Sequence, residues 1–316
     1  MSSRNLRSQV LARRLSWRTE PEPDPEPEAV PKLNPGSLWV VVPCKGRLTF
    51  LQETVPCVIE QAGVYYCLVD YSCPDRAGDW FEATFPEAVR GGRAVTERVH
   101  GQALFHKSCA HNAGARRAIR EGAEYLCFLD ADTIVRPGFV EFVRQNMAAD
   151  RFLISARRPD GRDVPSLAGL LVVSAAAFEA IGGFDEGFSG WGAEDIELRL
   201  RLFLLGGIDY GDVPLDLLQP MPHDDRLRTS FYEQKDVRIS HRENLRRVRE
   251  KITIEWAGRC VRELSDAARL CCGPPQRVGI NPSRGPAPPH AAIRRASPRV
   301  THSRRLLTRF ARVRVR

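Results

Sequence analysis

The sequence predicts an α/β fold with a mostly parallel central sheet flanked by helices. Short, almost wholly apolar runs occur at residues 38–42 (LWVVV) and 126–129 (LCFL), and such runs are typical of strands buried on both faces. Segments of helical periodicity, such as residues 49–61, lie between successive runs. This alternation favours a parallel sheet with helices packed on it.

The same pattern continues along the chain. Further strands are predicted at residues 65–69, 94–99, 152–156, 169–173 and 208–212. Further helices are predicted from residue 108, from Pro137, over residues 175–181, from residue 194 to about residue 205, and from residue 241. In the helix that begins at residue 194, apolar spacing predicts a core-facing side made of Ile196, Leu200, Phe203 and Leu204.

Composition divides the 316 residues into three parts. Residues 1–36 are rich in Pro and Glu and are predicted to be a disordered N-terminal segment. Residues 271–316 form a basic tail rich in Pro and Arg, which is also predicted to be disordered. Residues 37–270 remain as the folded domain, and a hydrophobic content of 43% is enough for a sizeable core.

The charge of the chain bears on its partners. There are 47 Lys and Arg against 39 Asp and Glu, and the basic tail supplies much of the net charge of +8. Such a tail is either simply disordered or attracted to anionic membranes or nucleic acid. Because no nucleic-acid motif accompanies it, no nucleic-acid partner is expected, whereas peripheral contact with a membrane stays open. Without a signal core or a long apolar run, a cytoplasmic location is expected, with any such contact at the inner membrane face.

Cysteine usage agrees with that location. The nine cysteines are scattered without a zinc-type spacing, and their number is odd. Cys127 lies in an apolar run that is predicted to be a buried strand. This usage is typical of reduced, core-type cysteines in a cytosol.

Polar residues follow the first two predicted strands. Lys45 and Arg47 come after a turn at Pro43 and Gly46, and Asp70 ends the second strand. Open α/β sheets bind ligands at this edge, and two cations there suit a phosphate, the alternative being a solvated turn. Asp70 can accept a hydrogen bond from a ribose or a base, although an Asp at a strand end more often caps a helix or forms a turn.

The start of the helix predicted from residue 108 carries another group of candidates. Phe105 precedes the helix and can stack on a base, while Lys107 and Asn112 lie near its first turn. His111 lies between them, and without further context a histidine there is more often structural than functional.

Asp130 and Asp132 end the strand predicted at residues 126–129. Alternate residues of a strand point the same way, so both carboxylates face one site. Paired acids at the end of a buried strand are costly unless a cation compensates, and carboxylates favour Mg²⁺ or Mn²⁺. His223, in a predicted loop, is a candidate additional metal ligand.

The segment GWGAED combines a tryptophan with two acids. Trp191 lies between Gly190 and Gly192, whose backbone freedom allows the tryptophan to move. Glu194 and Asp195 follow at the start of a predicted helix, where unpaired N–H groups favour negative charge. The segment therefore suits a cleft that needs an ionised carboxylate at neutral pH.

Taken in order, these motifs resemble those of a known family. The chain is similar to the β-1,4-galactosyltransferases and to the galactosyltransferase-like modules of bacterial chondroitin-type polymerases, over roughly residues 38–241. PCKGR resembles the family's Pro-x-Arg-x-Arg segment, FHKSCAHNAGA its Phe-Asn-Arg…Asn-x-Gly segment, DAD its metal motif and GWGAED its Gly-Trp-Gly-Gly-Glu-Asp motif. The resemblance implies the GT-A fold of nucleotide-diphospho-sugar transferases.

The resemblance also implies an activity. It is the metal-dependent, inverting transfer of a hexose or N-acetylhexosamine from a UDP-sugar to a glycan or related hydroxyl acceptor. Asp195 would be the general base, Glu194 would orient the acceptor, and Trp191 would be a mobile lid. Asp132 and His223 would bind Mn²⁺ (or Mg²⁺). With Asp70 added from its strand-end position, the candidate donor contacts are Pro43, Lys45, Arg47, Asp70, Phe105, Lys107, Asn112 and Asp130.

Some features depart from the family. Pro220 stands where the family has a metal-binding Met, and Met221 is one residue closer to the His, so a water can replace the sulfur ligand. His111 stands where many related bacterial enzymes have an Arg. The membrane anchor of the Golgi members is not recognised, so a Golgi location is not implied.

Three alternatives stay open. Polypeptide N-acetylgalactosaminyltransferases, which are retaining enzymes, share a similar Trp-Gly-Gly-Glu stretch, but they carry Asn where this chain has Asp195. A non-catalytic nucleotide-sugar-binding module is the second alternative, although every acid and the His are present. A nucleic-acid-binding protein, resting on the basic tail alone, is the third.

Overall fold

The described part of the protein contains a seven-stranded sheet and a separate two-stranded ribbon. The computed structural model describes residues 37–156, 158 and 164–257. The strands are β1 (Leu38–Cys44), β2 (Val64–Tyr71), β3 (Ala94–Val99), β4 (Tyr125–Phe128), β5 (Thr133–Val135), β6 (Arg151–Ser155), β7 (Leu171–Ser174), β8 (Asp209–Val213) and β9 (Leu218–Pro220). The sheet has the order β3-β2-β1-β4-β7-β6-β8, and β5 pairs with β9 in the ribbon.

The sheet is mostly parallel, as the sequence predicts. β1 runs parallel to β2 and β4, β2 to β3, and β6 to β8. Only β7, among the strands of this sheet, runs antiparallel to its neighbours β4 and β6. The predicted fold class is therefore confirmed.

Helices separate most of these strands along the chain. They are α1 (Leu48–Ile59), α2 (Ala77–Thr84), α3 (Pro86–Arg90), α4 (Lys107–Arg120), α5 (Phe139–Asn146), α6 (Ala175–Ala180), α7 (Glu194–Leu204), α8 (Asp225–Thr229) and α9 (Val237–Ala257). The sequence does not predict α2, α3, α8 or the ribbon, because segments this short carry too few residues to show a period. Within the described ranges, no helix combines the length and the apolar character that a membrane span requires.

The chain divides into two units after Asn244. The first unit contains the sheet and the ribbon. Of the second unit, the structure describes residues 245–257, which continue α9. The predicted disordered segments, residues 1–36 and 271–316, lie outside the described residues, so the proposed limits of the folded domain stay predictions.

The end of β1 differs from expectation. Pro43 was expected in a turn but lies within the strand, opposite Val69 of β2. The Val41 carbonyl accepts a hydrogen bond from the Leu129 N–H, so the backbone polar groups of Val41 point toward β4. The backbone groups of every second residue in a strand point the same way, so the backbone nitrogen of Pro43 also points toward β4. β4 has ended at Phe128, so the missing N–H of Pro43 breaks no ladder bond there.

Two hydrophobic clusters cover the two faces of the sheet. Leu38 and Val40 belong to one cluster together with the buried apolar residues of α1. Trp39 and Val41 belong to the other together with buried residues of α4 and α7. Because side chains alternate along a strand, β1 is buried on both faces, and the molecule has a helix–sheet–helix arrangement at this point.

Gly114 allows α4 to approach the sheet closely. A Cβ atom at this position would lie 2.4 Å from Cγ1 of Val41 and 2.6 Å from Cγ2 of Val69, well inside van der Waals contact. Both valines are fully buried in the sheet and have little room to move.

We expect Gly114→Ala to lower the free energy of unfolding by about 1–3 kcal/mol, because overpacking outweighs the gain of about 1 kcal/mol in helix propensity. Arg120→Ala, at an exposed position of the same helix, should change it by less than about 0.5 kcal/mol. Urea unfolding measures both. Equal or greater stability of Gly114→Ala would show that the helix can move away from the sheet at little cost.

Candidate active site

The polar residues singled out in the sequence lie at one edge of the sheet. β2, β1 and β4 are adjacent and parallel, so their C-terminal ends meet there. Lys45 follows β1, Asp70 is the second-last residue of β2, and Asp130 follows β4. This is the edge at which open α/β sheets bind ligands.

The ammonium of Lys107 joins three parts of the chain. Its Nζ lies 2.7 Å from Oδ1 of Asp130 and 3.2 Å from Oε1 of Glu194. Burial opposes the charge on Lys107, but the carboxylates of Asp130, Glu194 and Asp195 outweigh it and hold the pKa of the ammonium well above its usual value. The start of α4, the end of β4 and the start of α7 therefore meet at this lysine.

Glu194 and Asp195 are adjacent but have different neighbours. Both are buried, at 6% and 9% exposure, in the first turn of α7. Burial raises the pKa of Glu194; the attraction of Lys107 opposes this rise, and repulsion from Asp195 adds to it. Asp195 Oδ2 lies 3.9 Å from Nη2 of Arg199, one turn further along the helix. The two acids therefore face different cations.

Side chains of α7 hold this helix against the loops around it. Arg201 donates to the carbonyl oxygens of Ile181 and Gly183, each at 2.6 Å, and pairs with Glu197 at 2.6 Å. Arg199 donates to the carbonyl oxygen of Leu170 at 2.9 Å. These bonds satisfy loop carbonyls that have no strand or helix partner of their own.

The predicted core-facing side of α7 is wrong in part. Leu200 is buried, but Ile196, Phe203 and Leu204 are only half-buried, whereas Leu198 and Leu202 are fully buried. An amphipathic pattern assumes that charged residues face water. In α7 the charged side chains are buried and paired instead, so the helix is enclosed on most sides.

Asp132 and His223 form the candidate metal site. Nε2 of His223 lies 2.5 Å from Oδ2 of Asp132, and Nδ1 of His223 lies 3.1 Å from the carbonyl oxygen of Asp224. The hydrogen bond with Asp132 raises the pKa of His223, against the opposing effect of burial. The ribbon of β5 and β9 brings Asp132 and His223 together. Asp132 directly precedes β5, Met221 directly follows β9, and the Met221 N–H donates to the Asp132 carbonyl at 2.8 Å.

The chemistry of this pair fits a hard divalent cation. A carboxylate oxygen and an imidazole nitrogen are ligands that Mn²⁺ accepts, and the bond at Nδ1 fixes the orientation of the ring. Within the described ranges, no group of three or more His, Cys, Asp or Glu side chains is placed to hold a metal ion. The protein would therefore contribute two such side-chain ligands at this place.

The two cations after β1 differ in what they bind. Nζ of Lys45 donates to the carbonyl oxygens of Tyr71, Ser72 and Gln102, at 3.2, 2.8 and 2.7 Å, so this ammonium fastens neighbouring loops. Nη2 of Arg47 donates to a carbonyl at 3.0 Å, but Nη1 is buried without a hydrogen-bond partner in the described part of the chain. Burial lowers the pKa of the Arg47 guanidinium, against the opposing fields of Asp132 and Asp130.

Asp70 and Asn112 bond to the protein backbone. The carboxylate of Asp70 accepts from the N–H groups of Cys73 and Gly78, both at 2.8 Å, which matches the turn-forming alternative. The Asn112 amide donates to the Phe184 carbonyl and accepts from the Phe184 N–H, both at 2.9 Å. Asn112 thus positions the segment that leads into GWGAED. Contacts of either residue with a donor stay predictions.

Phe105 and His111 lie in aromatic surroundings. The Phe105 ring is half-buried, 5.7 Å from the ring of Tyr71 and 5.8 Å from that of Tyr232. His111 is buried and stacks on Phe184 at 5.0 Å, and burial lowers its pKa to about 3. His111 is therefore a neutral packing residue, and base stacking by Phe105 stays a prediction.

The loop around Trp191 is fastened to α9. Ser240 Oγ accepts from the Trp191 N–H at 2.7 Å and donates to the Trp191 carbonyl at 3.1 Å. Nδ2 of Asn244 donates to the carbonyl oxygens of Ser189 and Gly192, at 3.0 and 2.8 Å. The sequence gives no sign of these bonds, which join residues about 50 positions apart. We call Ser240 and Asn244 the loop latch.

The Trp191 ring has a cation on one side and an imidazole near it. The guanidinium carbon of Arg228 lies 5.3 Å from the ring centroid, and the ring of His241 lies 5.5 Å away. A Cβ at Gly192 would lie 2.6 Å from Nδ1 of His241, so this glycine also permits close packing on α9. Trp191 is therefore packed against α8 and α9 in this conformation.

Two further residues shape the site without a signal in the sequence. A Cβ at Gly169 would lie 2.1 Å from Oδ2 of Asp130, so this glycine leaves room for the carboxylate. The ring of Phe231 lies against Gly46, where a Cβ would be 2.1 Å from Cε2. Both contacts join distant segments, which no local pattern can reveal.

We expect the double variant Ser240→Ala/Asn244→Ala to free the Trp191 loop. Loss of about 1 kcal/mol or more of net hydrogen bonding corresponds to at least about fivefold faster amide exchange over residues 189–193. Hydrogen–deuterium exchange with mass spectrometry measures this. Asn146→Ala, which removes an amide bonded within α5, is the control and should leave the loop unchanged. Unchanged exchange in the double variant would mean that the latch does not hold the loop.

Residues 162–215, which carry Trp191, Glu194 and Asp195, match a family model described as the N-terminal domain of galactosyltransferase. The chain is 28% identical over 163 residues to β-1,4-galactosyltransferase 2 of Cricetulus griseus, covering 50% of this chain and 42% of that protein. It is 27% identical over 163 residues, with the same coverage, to β-1,4-galactosyltransferase 2 of Mus musculus. The chain thus spans less than half the length of these curated relatives.

A solved structure shares the fold. TarS of Staphylococcus aureus superposes with a TM-score of 0.50 at 13% identity, covering 69% of this chain and 40% of that chain. Likeness at this identity concerns architecture alone. The chain therefore has the GT-A fold and resembles the β-1,4-galactosyltransferases, most directly in the segment that supplies the buried acids of its candidate active site.

Proposed function

We propose that this chain is a metal-dependent, inverting glycosyltransferase that moves a hexose or N-acetylhexosamine from a UDP-sugar to a hydroxyl of a glycan or related acceptor. The observation that carries the proposal is the contact of Lys107 with both Asp130 and Glu194. It brings the strand-end acids, which suit a divalent metal ion that can bind a diphosphate, beside the helix-start acids, which suit proton transfer. The galactosyltransferase family match over the second group supports the same conclusion.

Donor binding would depend on Arg47. The buried, unpartnered Nη1 of Arg47 costs about 1–3 kcal/mol, which a diphosphate oxygen would offset through a charge-assisted hydrogen bond. Asp132 and His223 would hold the divalent ion. That ion, when bound, would neutralise negative charge that develops on the leaving diphosphate.

Asp195 is the proposed general base. It takes the proton of the acceptor hydroxyl while the oxygen attacks the anomeric carbon and the bond from that carbon to the diphosphate breaks. Attack from the face opposite the diphosphate inverts the configuration at this carbon. Glu194 orients the acceptor, and the Trp191 loop, carried by the latch, excludes water that would otherwise hydrolyse the donor.

We expect Asp195→Asn to lower the rate of sugar transfer by roughly 10²–10⁴-fold, because the amide cannot accept the proton. UDP affinity should change little, since the substitution leaves Arg47 and the metal pair in place. Transfer assays and isothermal titration with UDP measure the two quantities. Asp216→Asn, at an exposed acid, is the control. Near-normal turnover of Asp195→Asn would refute the assignment of the base.

We expect chelation by EDTA to abolish transfer and added Mn²⁺ to restore it best among divalent ions. His223→Ala should then require a higher Mn²⁺ concentration for half-maximal activity, because it removes one of the two proposed side-chain ligands. His100→Ala, at an exposed histidine, should not. Full activity in EDTA would eliminate the metal site from the proposal.

A further inference from the structure

Two cysteines lie together beside the segment that carries Lys45 and Arg47. Cys44 is the last residue of β1, and Cys73 follows β2, its parallel neighbour. Their Sγ atoms are 3.7 Å apart, and the residues are 0% and 8% exposed. The described cysteines are all free thiols.

The surroundings of Cys73 favour its thiolate. The hydrogen bond with Cys44 lowers the pKa of Cys73 to about 6, against the effect of burial, and the N–H groups of Gly46, Asp75 and Ala77 lower it further. The Gly46 N–H lies 3.2 Å from Sγ of Cys73.

The pKa values of Cys44 and of three other cysteines shift in the opposite direction from that of Cys73. The same hydrogen bond, together with burial, raises the pKa of Cys44. Burial raises the pKa of Cys67, Cys109 and Cys127 as well. Cys73 thus combines a favoured thiolate with a thiol partner 3.7 Å away, whereas Cys67 and Cys127 are buried core thiols and Cys109 is a half-buried thiol with a raised pKa.

We propose that Cys44 and Cys73 form a site of reversible oxidation by hydrogen peroxide. The Cys73 thiolate attacks one peroxide oxygen, the O–O bond breaks, hydroxide leaves, and Cys73 becomes a sulfenic acid. The Cys44 sulfur then attacks the Cys73 sulfur, and the hydroxyl group leaves as water with the Cys44 proton. The hydroxide takes up the proton that Cys73 lost on ionising. In total, two thiols and one peroxide give one disulfide and two waters.

Oxidation would move the loop that carries Lys45 and Arg47. A disulfide needs an S–S distance of about 2.05 Å, so the sulfurs must approach by roughly 1.6 Å. Gly46, between these two cations, has φ of 66° and the Phe231 ring against its α-carbon. The segment therefore cannot absorb the disulfide without displacing Lys45 and Arg47 from their present positions. Weaker donor binding is the expected consequence, and this consequence alone rests on the proposed function.

The test treats the full chain with hydrogen peroxide, blocks remaining thiols, and maps tryptic peptides by mass spectrometry. Cleavage after Lys45, Arg47 and Arg76 leaves Cys44 in one peptide and Cys73 in another, which also holds Cys57 and Cys67. We expect these two peptides to be joined with the loss of two hydrogens, and a dithiol reductant to separate them. Cys73→Ser should abolish the crosslink, and the control Cys57→Ser should preserve it. Absence of the crosslink, or its survival in Cys73→Ser, would overturn the proposal.

Two further measurements keep the result interpretable. Cys44→Ala should fold, because it removes only one buried sulfur atom, and should leave a Cys73 sulfenic acid that dimedone traps. Failure of dimedone to label Cys73 in that folded variant would also overturn the proposal. Titration with UDP should show about tenfold weaker binding to the oxidised chain. If the reduced chain does not bind UDP at all, the proposed function fails, whereas the mapped crosslink still establishes the oxidation site.

Discussion

The arrangement of the site depends on one buried cation. The carboxylates of Asp130, Glu194 and Asp195 converge on Lys107 at the edge of the sheet, where burial and the neighbouring carboxylates raise the pKa of Glu194. The ammonium of Lys107 compensates this charge and bonds directly to two of the three. Because the three carboxylates follow β4 or begin α7 and the ammonium begins α4, a single ion cluster fixes the relative positions of three elements.

Around this cluster, polar side chains fasten loops by bonding to their backbones. Lys45 holds the loops after β2 and β3, and Asn112 holds the segment before Trp191. Arg199 holds the loop before β7, and Arg201 holds the loop after α6. Loops at a sheet edge have N–H and C=O groups without regular partners, and burying them unpaired is costly. Several residues that suit ligand binding by type are therefore occupied by the protein itself. Nη1 of Arg47, by contrast, is buried without a hydrogen-bond partner among the described residues, and it supports the proposed donor site.

The proposed metal pair and the proposed lid are positioned by elements outside the central sheet. The ribbon of β5 and β9 brings Asp132 beside His223, and the latch on α9 carries the Trp191 loop. Both elements combine segments that are far apart in the chain. The strand ends thus form one side of the proposed donor site. The residues proposed to bind metal are held by the ribbon, and the loop proposed to exclude water is held by α9.

By itself, the sequence determined the α/β class, the strands of the sheet, and the residue types at their C-terminal ends, because apolar runs, helical period and strand-end position are local properties. The GWGAED segment and the Asp130/Asp132 pair also came from local spacing. Only the tertiary structure decided that Lys107 bridges Asp130 and Glu194. It also decided that the side chains of Lys45, Asp70 and Asn112 bond to the protein backbone. Finally, it showed that α7 is enclosed by protein on most sides rather than amphipathic. These outcomes depend on which distant groups compete for each donor and acceptor, and that competition exists only once the chain has folded.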